Sequence, residues 1–486
     1  MANTLIIRTL RKNTTIFVIV KMSDIISQMG SLAEAFLPKH AAKLSKKFKT
    51  LFIETLILYV VMQKTNFKQL GTFGTANEKT YRSHFEKGGV DMVSFNLELA
   101  KQYFEGSIGI KALAIDPSYI SKTGRHTPGL GYFWSGVAGK AKWGLEILGV
   151  GIIDTFRHDC VMLGGFQSPN SSMLSSEMVD KAGEPTRHIV GSEAVTDMEH
   201  VKATVGDVPV KRPYHKAADA KAIAEGNPDE TEKAFNLIDW YLHVLGCLPQ
   251  EVFEYTKRVV ADAFFSKRNF VDGLTKMGLK VISRFRDDAA LYYLYKGPKT
   301  GLPGAPKKYD GKVDVDKLNM KVFFKLDYTF DGGECFCGTV YSKALKQKVK
   351  VVVWFSKDKS KHKIFFSNDL TLAGTDIVKI YRYRFLVEFE FRNAKGYASL
   401  ERCQARSMSK YRTHFNMSFT SLNCLKMAAK QSGIPYSISN LKTLAHGQYL
   451  MNRFICVSGI SADSDLIDKL NEEVFSLTTM QYDTAA

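Results

Sequence analysis

The chain has 486 residues, enough for two or three domains with an ample buried core. Hydrophobic content of 45% and charged content of 24% exclude a disordered or fibrous chain. An excess of 67 Lys+Arg over 49 Asp+Glu, net +18, points to a polyanionic partner, nucleic acid first, with a merely basic soluble protein as the alternative. The seven cysteines have no disulfide or tetrahedral-zinc spacing, so a reducing compartment is expected.

Residues 1–21 place basic residues before a short apolar core, Ile16 to Val20, with no small-x-small cleavage site before Lys21. They read as a possible translated leader, with Met22 as the alternative start. The run Leu56 to Met62 is too short to span a bilayer, and no membrane partner is expected. Residues 22–105 carry helical apolar spacing and are expected to form a helical DNA-binding domain whose removal leaves the rest folded. Within it, a short helix, a Gly-containing turn and a second helix capped by Asn77 predict a helix-turn-helix with Lys79, Arg82 and Lys87 on or near its exposed side. An ordinary pair of packed surface helices remains open as the other reading.

From residue 106 the texture changes to strands. Segments ending at Asp116, Asp154 and Asp262, followed by "GLKVISRFR", are predicted strands, with a helix over "TEKAFNLIDWYLHVLG". Strands mixed with helices predict an α/β layer. The glycines of "GLGYFWSGVAGKAKWG" lack the order of a nucleotide P-loop. A hairpin with packed aromatics is expected there, with DNA contact by Tyr132, Trp134 and Lys142 as the alternative. His126 and His215 have no partner at metal-ligand spacing. Residues 296–356 read as a β-rich insertion, 357–435 as a return to the α/β domain begun at 106–295, and 436–486 as a helical C-terminal region.

The segment "YRYRFLVEFEFRNAK" predicts one helix, capped by Thr375. At about 100° per residue, Tyr381, Arg384, Glu388 and Lys395 share a stripe about 60° wide. Ile380, Val387 and Phe391 flank it on one side; Val378, Phe385 and Phe389 flank it on the other. Charges wedged among apolar neighbours need a partner, a metal or an anionic ligand. Strand-end Asp116 and Asp262, with Glu388 on the following helix, would supply hard oxygens of the kind that suit Mg²⁺. Strand position alone does not separate these aspartates from Asp154.

The Tyr-x2-Arg-x3-Glu-x6-Lys spacing resembles the Y-R-E-K signature of bacterial insertion-sequence transposases of the DDE superfamily. "IDPSYISKTGRHTPGLGYFWSG", "VVADAFFSKRNFVDGL", "VISRFRDDA", "GAPKKYDGKVD" and "CQARS" extend the resemblance over roughly residues 110–430. It implies an RNase H-like mixed sheet flanked by helices, with a β-rich insertion and helical N- and C-terminal regions. It further implies a metal-binding catalytic triad of Asp116, Asp262 and Glu388 holding Mg²⁺ or Mn²⁺, two ions in all, with Tyr381, Arg384 and Lys395 contacting the DNA end. The implied activity is cleavage at element ends and joining of the 3′-OH to target DNA. Terminal inverted repeats and target DNA would be the partners, with the chain a homodimer on DNA, cytoplasmic and nucleoid-associated. A non-transposing RNase H-like nuclease and a catalytically silent DNA-binding protein are the rival readings.

Overall fold

Side-chain caps punctuate the first hundred residues. Asp24, Ser45, Asn66, Asn77 and Asp91 each accept a backbone N–H from the first turn of the helix that follows. These helices are α1 (Ile25–His40), α2 (Lys46–Val61), α3 (Phe67–Phe73), α4 (Glu78–Lys87) and α5 (Met92–Tyr103). The computed structural model describes residues 5–11, 14–20, 24–41, 43–62, 64–170, 236–297, 307–434, 436–459 and 464–479. His215 and the start of the helix expected from residue 231 lie outside them. In the stretch read as a leader, β1 (Leu5–Arg11) and β2 (Thr14–Val20) pair antiparallel.

A mixed sheet of twelve strands follows. Its members are β3 (Lys111–Ser121), β4 (Gly131–Ser135), β5 (Lys140–Asp154), β6 (Asp159–Gln167), β7 (Arg258–Val260), β8 (Lys280–Phe285), β9 (Leu291–Leu294), β10 (Tyr309–Lys312), β11 (Phe324–Phe330), β12 (Gly333–Ser342), β13 (Gln347–Phe355) and β14 (His362–Ser367). The order is β10-β9-β12-β13-β14-β8-β7-β3-β5-β4, with β11 beside β12 and β6 beside β5. Among the described pairs only β3–β7 and β7–β8 are parallel. The strands of 296–356 are therefore not a separate β body: β13 pairs with β14, and β14 with β8, so they extend the central sheet.

Alternation along β3 shows how the layers form. Ala112 and Ala114 join a core with α2, α4 and the C-terminal helices, whereas Leu113 and Ile115 face the opposite core. That second core includes α6 (Leu237–Gly246), α7 (Gln250–Tyr255) and α8 (Arg268–Lys276). On the first face lie α9 (Gly374–Tyr383), α10 (Leu386–Tyr397) and α11 (Met408–Gln431), followed in the chain by α12 (Ile438–Ser458) and α13 (Ser464–Thr479). α11 is buried along most of its length, against β6, α1, α2, α4 and α5. Phe52 and Phe85 of the N-terminal helices thus share a core with Ile147 and Phe391. Removing residues 22–105 would strip α11 of its cover, contrary to the expectation of a detachable domain. The fold is RNase H-like, an α/β sheet flanked by helices with helical N- and C-terminal regions.

Candidate active site

Strand register brings the two aspartates level. In the parallel pair, Leu113 lies opposite Val259 and Ala114 opposite Val260, so two residues further on Asp262 draws alongside Asp116. Asp116 does not end its strand, as the sequence suggested; β3 continues through Pro117 to Ser121. It shares the parity of Ala112 and Ala114 and so faces the layer of α9 and α10. Asp262 follows β7 and caps a 3₁₀ turn, accepting the Phe264 N–H at 3.0 Å. Asp154 pairs with Lys111, five residues up the strand from Asp116 and about 16 Å away at the β rise. Its Oδ1 accepts the N–H groups of Phe156 and Arg157, both at 2.8 Å, and Lys111 Nζ stands 3.2 Å from Oδ2. Asp154 is a turn-former at the far end of the strand.

A glycine sets the third carboxylate. Asp116 pairs with Gly149 of β5, and a Cβ on Gly149 would lie 2.5 Å from the Phe391 ring. The missing side chain lets α10 approach the sheet there, with Glu388 one turn before Phe391. The predicted single helix is in fact two. Arg384 and Phe385 lie between α9 and α10, with tightened bonds from Arg384 N to Tyr381 O and from Glu388 N to Phe385 O. Ala373, not Thr375, is the N-cap residue of α9. The apolar flanks also differ from expectation: Ile380, Val387, Phe391 and Val378 are buried, but Phe389 is 39% exposed.

Arg384 sits among the carboxylates. Its Nη1 donates to Asp116 Oδ1 at 3.0 Å and its Nη2 to Glu388 Oε1 at 2.7 Å. Burial pushes the Asp116 carboxyl up to about 7; the Arg384 charge opposes this, while Glu388 and Asp262 add to it. Burial likewise raises Asp262, against Arg384 and the Phe264 N–H. The three carboxylates thus share one electrostatic environment. Among the described residues, no group of three His, Cys, Asp or Glu side chains stands ready to hold a metal ion. The Arg384 guanidinium spans Asp116 and Glu388. The donors nevertheless fit a hard divalent cation: all are carboxylate oxygens, and two already bind a positive charge.

The other residues of the stripe have structural partners. Lys395 Nζ donates to the Tyr119 carbonyl at 2.7 Å and lies 3.6 Å from Glu401 Oε1. The Tyr381 ring packs 5.0 Å from that of Phe365. In the N-terminal helices the Asn77 cap forms, Lys79 and Lys87 lie on α4, and Arg82 pairs with Glu78 and covers the Phe67 ring. The sequence reading passed over Phe264 and Lys267. Phe264 is 44% exposed with Lys267 Nζ 3.6 Å from its ring centroid, beside Asp262. A lysine five residues after the second aspartate was the available signal.

A family model described as DDE superfamily endonuclease matches residues 73–321, just over half of the chain. The chain belongs to the DDE superfamily of endonucleases. A second model, described as transposase DDE domain, matches residues 221–424. The first match includes Asp116 and Asp262, and the second includes Asp262 and Glu388. A nuclease-type enzyme acting on DNA follows from this membership. No curated protein matches the chain. No helix among the described residues is long and apolar enough to cross a membrane.

Proposed function

We propose that this DDE endonuclease is an insertion-element transposase of the Y-R-E-K type, which cuts the ends of its element and joins the freed 3′-OH to target DNA. The observation that carries the reading is the Arg384 bridge from Asp116 to Glu388, with Asp262 acting on the same carboxyl. Asp116, Asp262 and Glu388 would hold divalent Mg²⁺ or Mn²⁺, which when bound would polarise the phosphodiester and favour the attacking and leaving oxygens. Arg384 stands beside the carboxylates and would orient the DNA-end phosphate through its two-pronged donor set. Tyr381, beside Arg384, and Lys395, further along α10, would contact the DNA end, as would Lys79, Arg82 and Lys87 of α4. A homodimer would hold two ends together.

The test is incubation with DNA carrying the inverted repeats that flank the coding region, with Mg²⁺, with Mn²⁺ and with chelator. Metal-dependent cuts that leave a 3′-OH, followed by joined products, are expected, and Asp262→Asn should abolish both. Cutting without joining would make the chain a nuclease; repeat binding with no cutting in either metal would make it a silent DNA binder.

A further inference from the structure

β4 and β5 form a hairpin through a turn at 136–139, and its end projects beyond the sheet. The last pair between β3 and β5 is Ser121 with Gly144, so residues 140–143 of β5 pair with β4 alone. The two faces of this ribbon differ. Phe133 and Ser135 are buried on one. Tyr132 and Trp134 point the other way, 53% and 64% exposed, and cross-strand Trp143 and Ala141 complete their face. The Tyr132 and Trp143 rings meet edge to face at 5.3 Å. Lys140 and Lys142 are exposed on the ribbon's reverse face, where they pair with Ser135 and Phe133. Trp143 is partly buried against the core, but folding gains nothing from leaving the Tyr132 and Trp134 rings in water at a projecting tip, which marks the face for a partner.

We propose that this ribbon binds an unpaired DNA strand, with Trp134 and Tyr132 stacking on bases and Lys140 and Lys142, on the reverse face, drawing in the phosphate backbone. The assignment rests on the reading of the chain as a DNA-processing enzyme. In an intact duplex the bases are stacked on one another and offer only their edges in the grooves. An aromatic face finds its match in bases freed from the stack, while lysines supply the sequence-independent attraction. A second copy of the chain fits less well, because two lysine-bearing ribbons of a +18 protein would repel. From Gly149, opposite Asp116, to Trp143 is six residues of one strand, about 20 Å. That distance corresponds to about six base pairs of duplex DNA. The ribbon projects from the end of the sheet toward which β3 and β7 run, the end at which Asp262 lies.

The experiment measures anisotropy of labelled dT15 and of a blunt 15-base-pair duplex with the full chain in chelator. Wild type is compared with Tyr132→Ala/Trp134→Ala and with Lys140→Ala/Lys142→Ala. The aromatic pair should lose about a hundredfold in affinity for dT15, about one decade for each of the two lost stacks, and under twofold for the duplex. Trp134→Phe, which keeps a ring face, should recover much of the loss. The lysine pair should weaken both DNAs and flatten their salt dependence. Equal losses on both DNAs in the aromatic variant, or none, would overturn the assignment. So would a wild-type dimer that the aromatic variant turns into monomer at unchanged DNA affinity. No cleavage enters the readout. A chain that binds dT15 through the ribbon but never cuts DNA refutes the proposed transposition only. One that cuts element ends while the aromatic variant keeps its dT15 affinity refutes the ribbon only.

Discussion

Lys426→Met should be among the most destabilising single changes in the molecule. Lys426, on α11, is fully buried and donates to Glu390 Oε1 at 2.9 Å, Asp159 Oδ1 at 2.7 Å and the Cys160 carbonyl at 2.6 Å. Burial works against its charge, but Asp159 and Glu390 more than offset this, so it stays protonated. Glu390 lies two residues after Glu388 on the opposite side of α10, and its pairing with Lys426 ties that helix to α11 and β6. Asp159 is partly exposed and keeps the Tyr103 hydroxyl at 2.6 Å. Most of the loss therefore falls on Glu390, whose Oε2 already has no hydrogen-bond partner. Stranding a buried carboxylate costs about 3–5 kcal/mol. Glu390→Leu alone leaves the Lys426–Asp159 pair and should cost less, about 1–3 kcal/mol. The double variant should come back to within about 2 kcal/mol of wild type, because an apolar pair can replace a buried ion pair. Guanidinium unfolding followed by near-UV circular dichroism measures each leg of the cycle. The deficit of Lys426→Met should also depend on pH. Burial raises the Glu390 pKa above its unfolded value, and without Lys426 nothing holds it down. Its deficit is therefore smallest below the unfolded carboxylate range, about pH 4, and grows as pH rises through the folded pKa. A Lys426→Met variant within about 1 kcal/mol of wild type, or a double variant no better than it, would refute the reasoning.

Other outcomes follow from the same geometry. His414 is buried between the Tyr59 hydroxyl and the Ser399 carbonyl, and burial chiefly lowers its pKa from 6.5 to about 3. Stability should be complete above the unfolded value and fall by up to about 1.4 kcal/mol per pH unit between about 6.5 and 3; His414→Gln should flatten that slope in acid titrations of the unfolding midpoint. Glu388→Gln should abolish cleavage and joining while leaving DNA-end binding within about twofold in gel shifts, since it keeps size but removes a hard anionic ligand; near wild-type cutting would remove Glu388 from the triad. Arg384→Ala removes both bridges and leaves three carboxylates repelling, so metal-free protein should lose about 1–2 kcal/mol and gain more from Mg²⁺ in thermal shifts than wild type does. Binding to element ends should fall steeply between about 50 and 200 mM salt as phosphate counterions are displaced; a flat response would count against a DNA substrate.

Local chemistry was legible because it is written locally. Asn77 announces a helix start through its own side chain, and it caps α4. The four-residue spacing from Tyr381 to Lys395 and the apolar strands before Asp116 and Asp262 mark the segments that meet at the candidate site. β6 carries no clear strand signal because Gly164 and Gly165 interrupt its pattern; they are required where Asn416 and Phe419 of α11 press on the strand. Capping residues and apolar periodicity thus carried most of the elements and the residue types on them, though not β6 or the break between α9 and α10. Tertiary structure alone decided which of them meet. Asp116 and Asp154 look alike as strand aspartates, and only pairing with β7, well over a hundred residues later, brings Asp116 beside Asp262 while Asp154 closes a turn. Arg384 and Lys395 share a stripe on paper, yet one binds the carboxylates and the other a strand carbonyl. Periodicity specifies the face a residue takes, whereas its partner depends on register and on where a glycine such as Gly149 lets a helix approach.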